Sequence, residues 1–596
     1  MFLRSHKRNK DGKEHRYFSI MESRRLSSGK TMQRQVLYLG EINSSQQQSW
    51  RKSLEVFDET AERFRPLSLF PDDRAMPAES ADCVQVKLNE MELRNARSFG
   101  ACWLGCHLWR QLELDRFWAE KLESNREDIP WHQVLQLLVV NRLIDPGSEF
   151  RLHRLWFQQS AMGELLGTED SVAGKDRLYR CLDRLLPHKE ELFLFLRRRW
   201  HEMFNARFDI LLYDLTSTYL EGQAEDISKA KRGYSRDGRP DCLQLVIALV
   251  VTPDGFPLAY EVMDGNRSDK TTLREFLGKI ESMYGKADRV WVMDRGIPTE
   301  AVLEEMRAAK SKVYYLVGTP RGKMRKMEQN WLDLPWRKVR DSVEVKLAAE
   351  DGELYVLAKS EGRQAKEIAM RRKKLARLLR KLRAMRQSCP SRDQLLLRIG
   401  SAKSAAGRAF GFVEIELPAA RQPVTRESFR FRVRKDKLRE AEMRDGHYLL
   451  RSNLVDEDPA VLWERYMQLT QVEAAFKSMK SDLGIRPIYH QLEHRVEAHI
   501  FVAFLSYCLQ VTLKNQIAAH APGLTPRAVL DKLAGIQMLD VWLPTTDGRF
   551  LVMPRHTEPD HEQALLLHKL DLQLPPQPPP RIRAKAPSVA PAPLKM

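Results

Sequence analysis

The sequence predicts a multidomain α/β protein, and three observations carry that reading. A chain of 596 residues exceeds what one hydrophobic core can serve, so three or more domains are expected. At Phe208 the apolar period switches from helical to strand-like. FDILLYD, LQLVIALVV, FPLAYEVM, RVWVMD and KVYYLVG then read as buried strands with turn and helix signals between them. From about Pro320 to Asp456 this pattern gives way to short strand-like pieces, and helices resume after it, so the α/β core is interrupted.

Residues 1–75 read as a small β-rich unit with a basic surface. His15 to Ser23 and Gln35 to Leu39 are its strands, about a turn at Ser27 to Lys30. A Pro- and Asp-containing break follows at Phe70 to Asp82. Residues 76–205 form a helical region: from Val86 on, apolar residues recur at three and four in GACWLGCHLWRQLELDRFW and WHQVLQLLVVNRLI. Such a basic helical module either grips DNA or serves packing. Residues 206–320 hold the first part of the core, where Ser268 or Asp269 caps a helix and another starts at Pro298.

Residues 321–456 read as a β-rich insertion with strands in DSVEVKLAA, GELYVLAKS, FGFVEIEL, SFRFRVRK and HYLLRSNL. They also hold a helix with nine Arg or Lys and no acid between Arg371 and Arg386, striped by Leu375, Leu378, Leu379 and Leu382. A basic amphipathic helix suits a membrane or a polyanion, and in so basic a chain DNA phosphates are the better partner. Residues 457–550 complete the core with a helix from Pro459 and a very apolar one over Ala498 to Val511. Residues 551–596 read as a largely disordered tail, with eight prolines from Pro575 on.

Lys and Arg number 98 against 80 Asp and Glu, a net charge of +18 and a pI near 9.5. An excess of that size points to a polyanionic partner, most simply nucleic acid. The longest strongly apolar run, near Ile500 to Leu509, is too short to span a bilayer, so no membrane is expected. Seven scattered cysteines argue against a disulfide framework and for a reducing cytoplasm. Cys102, Cys106 and His107 find no second ligand pair, and a spacing of four suits one apolar helix face better than zinc.

Two buried strands each end on an aspartate, Asp214 and Asp294. Ligands of α/β folds sit at the carboxyl ends of strands, and a partly desolvated carboxylate there needs a cation or a base. Either residue alone is more often a turn or cap. With Glu473 from a helix they make a three-carboxylate Mg²⁺ site. That helix, YMQLTQVEAAFKSMK, reads as unbroken from Tyr466 to Lys480. Tyr466, Glu473 and Lys480 fall seven residues apart on one face, and Lys477 lies beside it. A solvated face with chance spacing is the plain alternative.

YDLTSTYLEG, GYSRDGRPDCLQLVIALVVTPDGFPLAYEVMDGNRSD, VWVMDRG, DGHYLLRSNL and YMQLTQVEAAFKSMKSDL together resemble the DDE transposases of bacterial insertion sequences, in their IS-four-like group. The resemblance runs from the N-terminal hairpin to about residue 515. It implies a ribonuclease-H-like catalytic core with a β-rich insertion, and strand cleavage at transposon ends followed by transfer of the 3′-OH to target DNA. It places the catalytic, metal-binding triad on Asp214, Asp294 and Glu473, with two Mg²⁺ (or Mn²⁺) ions. It implies DNA contacts from Tyr466, Lys480, Lys477 and Arg295. The group's Tyr-Arg-Glu-Lys signature falls on Tyr466, Leu469, Glu473 and Lys480. Leucine stands where the arginine belongs, and Arg465, Lys477 and Arg486 are the alternatives for that contact. The implied partners are terminal inverted repeats, target DNA and a second copy in a synaptic homodimer, in the bacterial cytoplasm. A ribonuclease-H-like nuclease or resolvase, and a non-catalytic DNA-binding relic, are the competing readings.

Overall fold

The computed structural model describes residues 2–10, 13–25, 31–41, 54–58, 63–68, 82–83, 86–122, 130–168, 170–267, 269–285, 288–308, 313–319, 334–340, 342–350, 352–419 and 422–583. The expected turn at 27–30, most of the break at 70–82 and the cap at Ser268 lie outside them.

The N-terminal strands β1 (Phe2–Lys10), β2 (Lys13–Arg25) and β3 (Thr31–Glu41) form an antiparallel sheet. Strands β4 (Leu54–Asp58), β5 (Arg63–Ser68) and β6 (Asp82–Cys83) belong elsewhere. They share a seven-stranded sheet with β7 (Glu92–Ser98), β19 (Gln537–Pro544), β20 (Phe550–His556) and β21 (Arg581–Arg583). This corrects two expectations. The stretch after Val86 opens with a strand, β7, rather than a helix. The C-terminal segment is ordered at least to Arg583: β20, the helix His561–Lys569 and β21 lie within it. Ile582 is buried there, and Asp560 caps the helix reciprocally with Gln563. Proline-rich composition hid this because β21 needs only three residues and borrows its partners from β20 and β4.

The helical region supplies α1 (Gly100–Gln111), α2 (Leu114–Lys121), α3 (Trp131–Ile144), α4 (Lys175–Leu182) and α5 (Lys189–Phe204). These pack on the long apolar helix of the second core part rather than standing apart: Trp200 Nε1 donates to Thr512 Oγ1 at 3.0 Å, and Ser506 Oγ to the Val139 carbonyl at 3.0 Å. Cys102 and Cys106 are buried on α1, with Cys106 Sγ 3.9 Å from Met162 Sδ.

The core sheet has nine strands in the order β10-β9-β8-β11-β12-β18-β15-β14-β13. β8 (Ile210–Tyr219), β9 (Gln244–Val251) and β10 (Pro257–Asp264) are antiparallel, and β11 (Arg289–Met293) and β12 (Val313–Gly318) run parallel to β8. Between them lie α6 (Asp269–Tyr284) and α7 (Glu300–Ala308). Every residue of β9 is buried, as its unbroken β-branched run requires when both faces are covered. The strands expected to form a separate insertion instead lengthen this sheet. β13 (Arg337–Arg340), β14 (Val343–Glu350) and β15 (Glu353–Ser360) join it through β18 (His447–Ser452), which pairs antiparallel with both β12 and β15. At this seam the buried Arg451 meets Glu353 at 2.6 Å and Glu300 at 2.7 Å, and Arg307 reaches Glu353 at 2.7 Å. Removing one partner of so buried a pair costs on the order of 3–5 kcal/mol.

A small second core stands beside the sheet. It is built by α8 (Glu361–Ser388), α9 (Arg392–Ala406) and the hairpin β16 (Val413–Glu416) with β17 (Arg430–Val433), and α10 (Lys435–Met443) leads back to β18. The chain closes the core with α11 (Pro459–Met467), α12 (Leu469–Ser481), α13 (Glu493–His520) and α14 (Pro526–Leu533), and α15 (His561–Lys569) follows. Helix α13 is long and apolar enough to cross a membrane, yet 94% of its apolar window is buried inside the protein.

Candidate active site

Asp214 and Asp294 stand side by side because β8 and β11 run parallel with Met293 opposite Tyr213, one residue before each carboxylate. Side chains alternate along a strand. Tyr213 points to α6, where its hydroxyl bonds Thr272 Oγ1 at 3.0 Å, so Asp214 points to the other face. That face is covered by α12, which carries Glu473. Asp214, Asp294 and Glu473 line one cleft of about 280 Å³ together with Arg295, Gly318, Thr319, Arg363, Tyr448 and Tyr466.

Asp214 does not end its strand, contrary to the sequence reading. β8 continues to Tyr219 because LTSTY keeps its antiparallel pairing with β9, from Asp214 opposite Leu249 to Tyr219 opposite Gln244. Only the parallel ladder to β11 stops there, and Asp294 does follow the last residue of β11.

The helix from Tyr466 to Lys480 is also not continuous. It breaks at Gln468, whose amide is shared between the Glu464 and Arg465 carbonyls at 3.2 Å each. α11 packs on β11, β12 and β15, whereas α12 packs on β8 and β9. The break serves two packing directions, and no Gly or Pro announces it. Tyr466 therefore sits on a different helix from Glu473 and Lys480, yet it reaches the same cleft. Its hydroxyl donates to Asp294 Oδ1 at 3.2 Å, and its ring stacks on Tyr448 with centroids 6.3 Å apart. Burial, then the Asp294 charge, pushes the Tyr466 phenol well up from its ordinary value. It is a donor here, not a base. Gly318 makes room for it: a Cβ there would lie 2.5 Å from Tyr466 Oη.

Burial raises the Asp214 carboxyl to about 6. The Leu215 amide and Arg236 oppose this, and the charges of Asp294 and Glu473 add to it. Among the described residues no Lys or Arg forms an ion pair with Asp214, Asp294 or Glu473. Convergent carboxylate oxygens that repel one another and form no ion pair among the described residues fit a hard divalent metal ion.

Lys480 and Lys477 part company. Lys477 is exposed and outside the cleft lining. Lys480 is mostly buried and gives its ammonium to Asp237 Oδ1 at 2.8 Å, and Arg486 binds the same oxygen. Asp237 is 5% exposed, and its other oxygen has no hydrogen-bond partner. Arg295 is exposed and lines the cleft. Leu469 is buried in the core, and Arg465 pairs with Glu457 at 2.8 Å, so of the alternatives at the missing arginine only Arg486 lies beside Lys480. Sequence reasoning overlooked Arg363, whose guanidinium covers the Tyr448 ring at 4.8 Å, and Asp237, which sits in plain view in the GYSRDGRPD loop.

A second cluster lies away from the cleft. Ligand atoms of Glu149, His490 and His499 fall within 4.8 Å of one another. The buried Arg142 guanidinium, however, approaches His499 Nδ1 at 3.3 Å, and a cation already in place opposes a metal ion. We read this group as a buried charge network.

A family model described as a transposase DDE domain matches residues 206–509, 304 of the 596. Another, the N-terminal domain of IS1634 family transposases, matches residues 3–65. No curated protein matches. Among solved structures the chain has a likeness to a piggyBac transposase synaptic complex with hairpin DNA, at 8% identity and a TM-score of 0.35 over 73% of this chain and 78% of that one. It has a weaker one to a Mos1 transposase paired-end complex, at 11% identity and a TM-score of 0.13 over 34% and 64%. Both are too distant to carry an argument.

Proposed function

The chain belongs to the family of transposases with a DDE domain, and we propose that Asp214, Asp294 and Glu473 are the three carboxylates that carry its chemistry. A DDE transposase depends on a divalent metal, and we take the ions to be two Mg²⁺, with Mn²⁺ able to substitute. When bound, they activate the attacking oxygen and stabilise the leaving one as DNA strands are cut and joined. The observation that carries the assignment is the in-register placement of Asp214 and Asp294 on adjacent parallel strands, facing Glu473 in one cleft with no ion-pair partner among the described residues.

The other side chains bind and orient. Tyr466 fixes one oxygen of Asp294 through its hydroxyl. Arg295 and Arg363 line the cleft and offer cations for a phosphate there, and Lys480 and Arg486, gathered on Asp237 beyond the cleft lining, offer two more; charge-assisted contacts of this kind are the strong ones. We assign five strands, β10-β9-β8-β11-β12, to a ribonuclease-H-like core, and the chain to the group with the Tyr-Arg-Glu-Lys signature, with Arg486 in place of the missing arginine. The DNA partners are the element's terminal inverted repeats and the target duplex, handled by a homodimer in the bacterial cytoplasm.

The test is cleavage of duplexes carrying the element's own ends in Mg²⁺. Asp214→Asn, Asp294→Asn and Glu473→Gln should each abolish cutting and leave end binding within a few-fold of wild type, because carboxylates hold the metal and basic residues hold phosphates. Near-normal cutting by any one variant removes that residue from the triad. Joining of the cut 3′ end to a second duplex separates a transposase from a nuclease or resolvase.

A further inference from the structure

We propose that one face of α8 is a rail along which duplex DNA runs away from the catalytic cleft; this rests on the reading of the cleft given above. The rail starts inside the cleft. Arg363, in the first turn of α8, lines the same cavity as Asp214, Asp294 and Glu473, and it joins Tyr448 and Tyr466 in a stack that ends on Asp294. The helix is held rigidly to the site. Arg371 clasps both oxygens of Asp445 at 2.5 Å, and the Gly446 amide donates to Glu367 Oε2 at 3.1 Å, in the turn that opens β18.

The cations are sorted by face. At about 100° per residue, Lys366, Lys373, Lys374, Arg377, Arg380 and Lys381 all fall within roughly 120° of arc that includes Arg363. The buried residues Leu378, Leu382 and Met385 take a neighbouring arc and pack in the small core with Leu395 and Phe429. Five of the six stripe cations beyond Arg363 are exposed, Lys381 is half-buried, and among the described residues no acidic side chain pairs with any of the six.

From Arg363 to Lys381 the stripe runs 18 residues, about 27 Å at roughly 1.5 Å each. That is the axial length of about eight base pairs of duplex at roughly 3.4 Å each. A membrane surface would need apolar residues on this face, and the stripe carries only Met370. A rigid row of cations that starts from Arg363 in the cleft, the six beyond it without an acidic partner among the described residues, fits a polyanion that enters the cleft, and duplex DNA is the one the site itself requires. The shared chemistry is the phosphate backbone. It has two sources here, the duplex flanking the donor end and the target duplex.

The experiment compares two double variants of the full chain with equal charge loss: Arg377→Gln/Arg380→Gln on the stripe, and Arg372→Gln/Arg383→Gln off it. Glutamine keeps helix propensity, and circular dichroism melts check the fold. Affinity is measured against salt concentration for three duplexes: an end with long flanking DNA, the same end cut flush, and a target duplex. The stripe variant should lose tenfold or more in affinity and reduce the log–log salt slope by about 1.8, since each phosphate contact adds about 0.9. The off-stripe variant should stay within twofold. A loss confined to the flanked end assigns the rail to donor DNA, and a loss confined to the target duplex assigns it to target DNA. Equal slopes for the two variants on all three duplexes overturn the rail. Metal-dependent cutting by wild type is scored in parallel. If wild type does not cut, the reading of the cleft fails, while the slopes still decide the rail.

Discussion

Lys480 Nζ stands 2.8 Å from Asp237 Oδ1, and Arg486 meets the same oxygen, so one buried carboxylate holds both cations beyond Glu473. Burial lowers the Lys480 ammonium from its ordinary value, and Asp237 partly restores it. Lys480→Ala should therefore act twice. Leaving Asp237 with one cation costs about 1.5–3 kcal/mol of stability. Losing the phosphate contact proposed for it, of similar worth, should slow end cleavage or weaken end binding roughly ten- to a hundred-fold. The exposed Lys477 is the control. If Lys477→Ala and Lys480→Ala melt and cleave alike, Lys480 has no special place in the site.

The raised carboxyl of Asp214 makes a stability prediction. Its folded-state value of about 6 lies above the ordinary 3.8, so ionising it costs stability, and the penalty develops as pH rises from about 3.8 to about 6 and stays above that. With divalent ions chelated at pH 7.5, Asp214→Asn should melt above wild type, by about 1–3 kcal/mol. Mg²⁺ should then raise the wild-type melting temperature by binding the folded state, and raise the variant's far less. A variant less stable than wild type in chelator would show that the cluster is not under electrostatic strain.

Gly318 should tolerate nothing larger. A Cβ would meet Tyr466 Oη at 2.5 Å and the Arg295 amide at 3.3 Å. Gly318→Ala should push the phenol off Asp294 and reproduce the cleavage defect of Tyr466→Phe, with kcat falling more than end affinity. Full activity in Gly318→Ala would mean that the Tyr466–Asp294 contact is dispensable.

Strand identity in the core was legible because buried strands carry unbroken β-branched runs, as in LQLVIALVV. Sheet membership was not. β13–β15 look like a separate unit until β18 pairs with β12 on one side and β15 on the other, a relation between segments more than 80 residues apart in sequence. The three carboxylates could be picked out from strand and helix patterns, but their register could not, because β8 runs on for six residues past Tyr213, the last residue it pairs with β11. The seven-residue spacing of Tyr466, Glu473 and Lys480 suggested one face. The break at Gln468 and the pull of Asp237 divide that face between two helices and two partners, and both depend on tertiary packing that no local pattern encodes.

The buried network around Glu149 should make the fold acid-sensitive. Burial alone would raise the Glu149 carboxyl. The hydrogen bond from His490 at 3.4 Å, the charge of His490 and that of Arg142 more than offset it and hold it down at about 2. His499 is kept well below its ordinary value by burial and then by Arg142. Both shifts have the same sign for stability. A depressed carboxylate contributes stability above its unfolded value of 4.5 that is lost as pH falls towards 2. A histidine buried neutral loses stability once the unfolded chain can take a proton, below about 6.5. Glu149→Gln should therefore cost on the order of 3 kcal/mol at pH 7. That gap from wild type should shrink steadily between pH 5 and pH 3, because wild type forfeits the same contribution there. Denaturant melts at pH 7, 5, 4 and 3 measure it. A gap that stays constant across that range would show that Glu149 is held by packing and not by its charge.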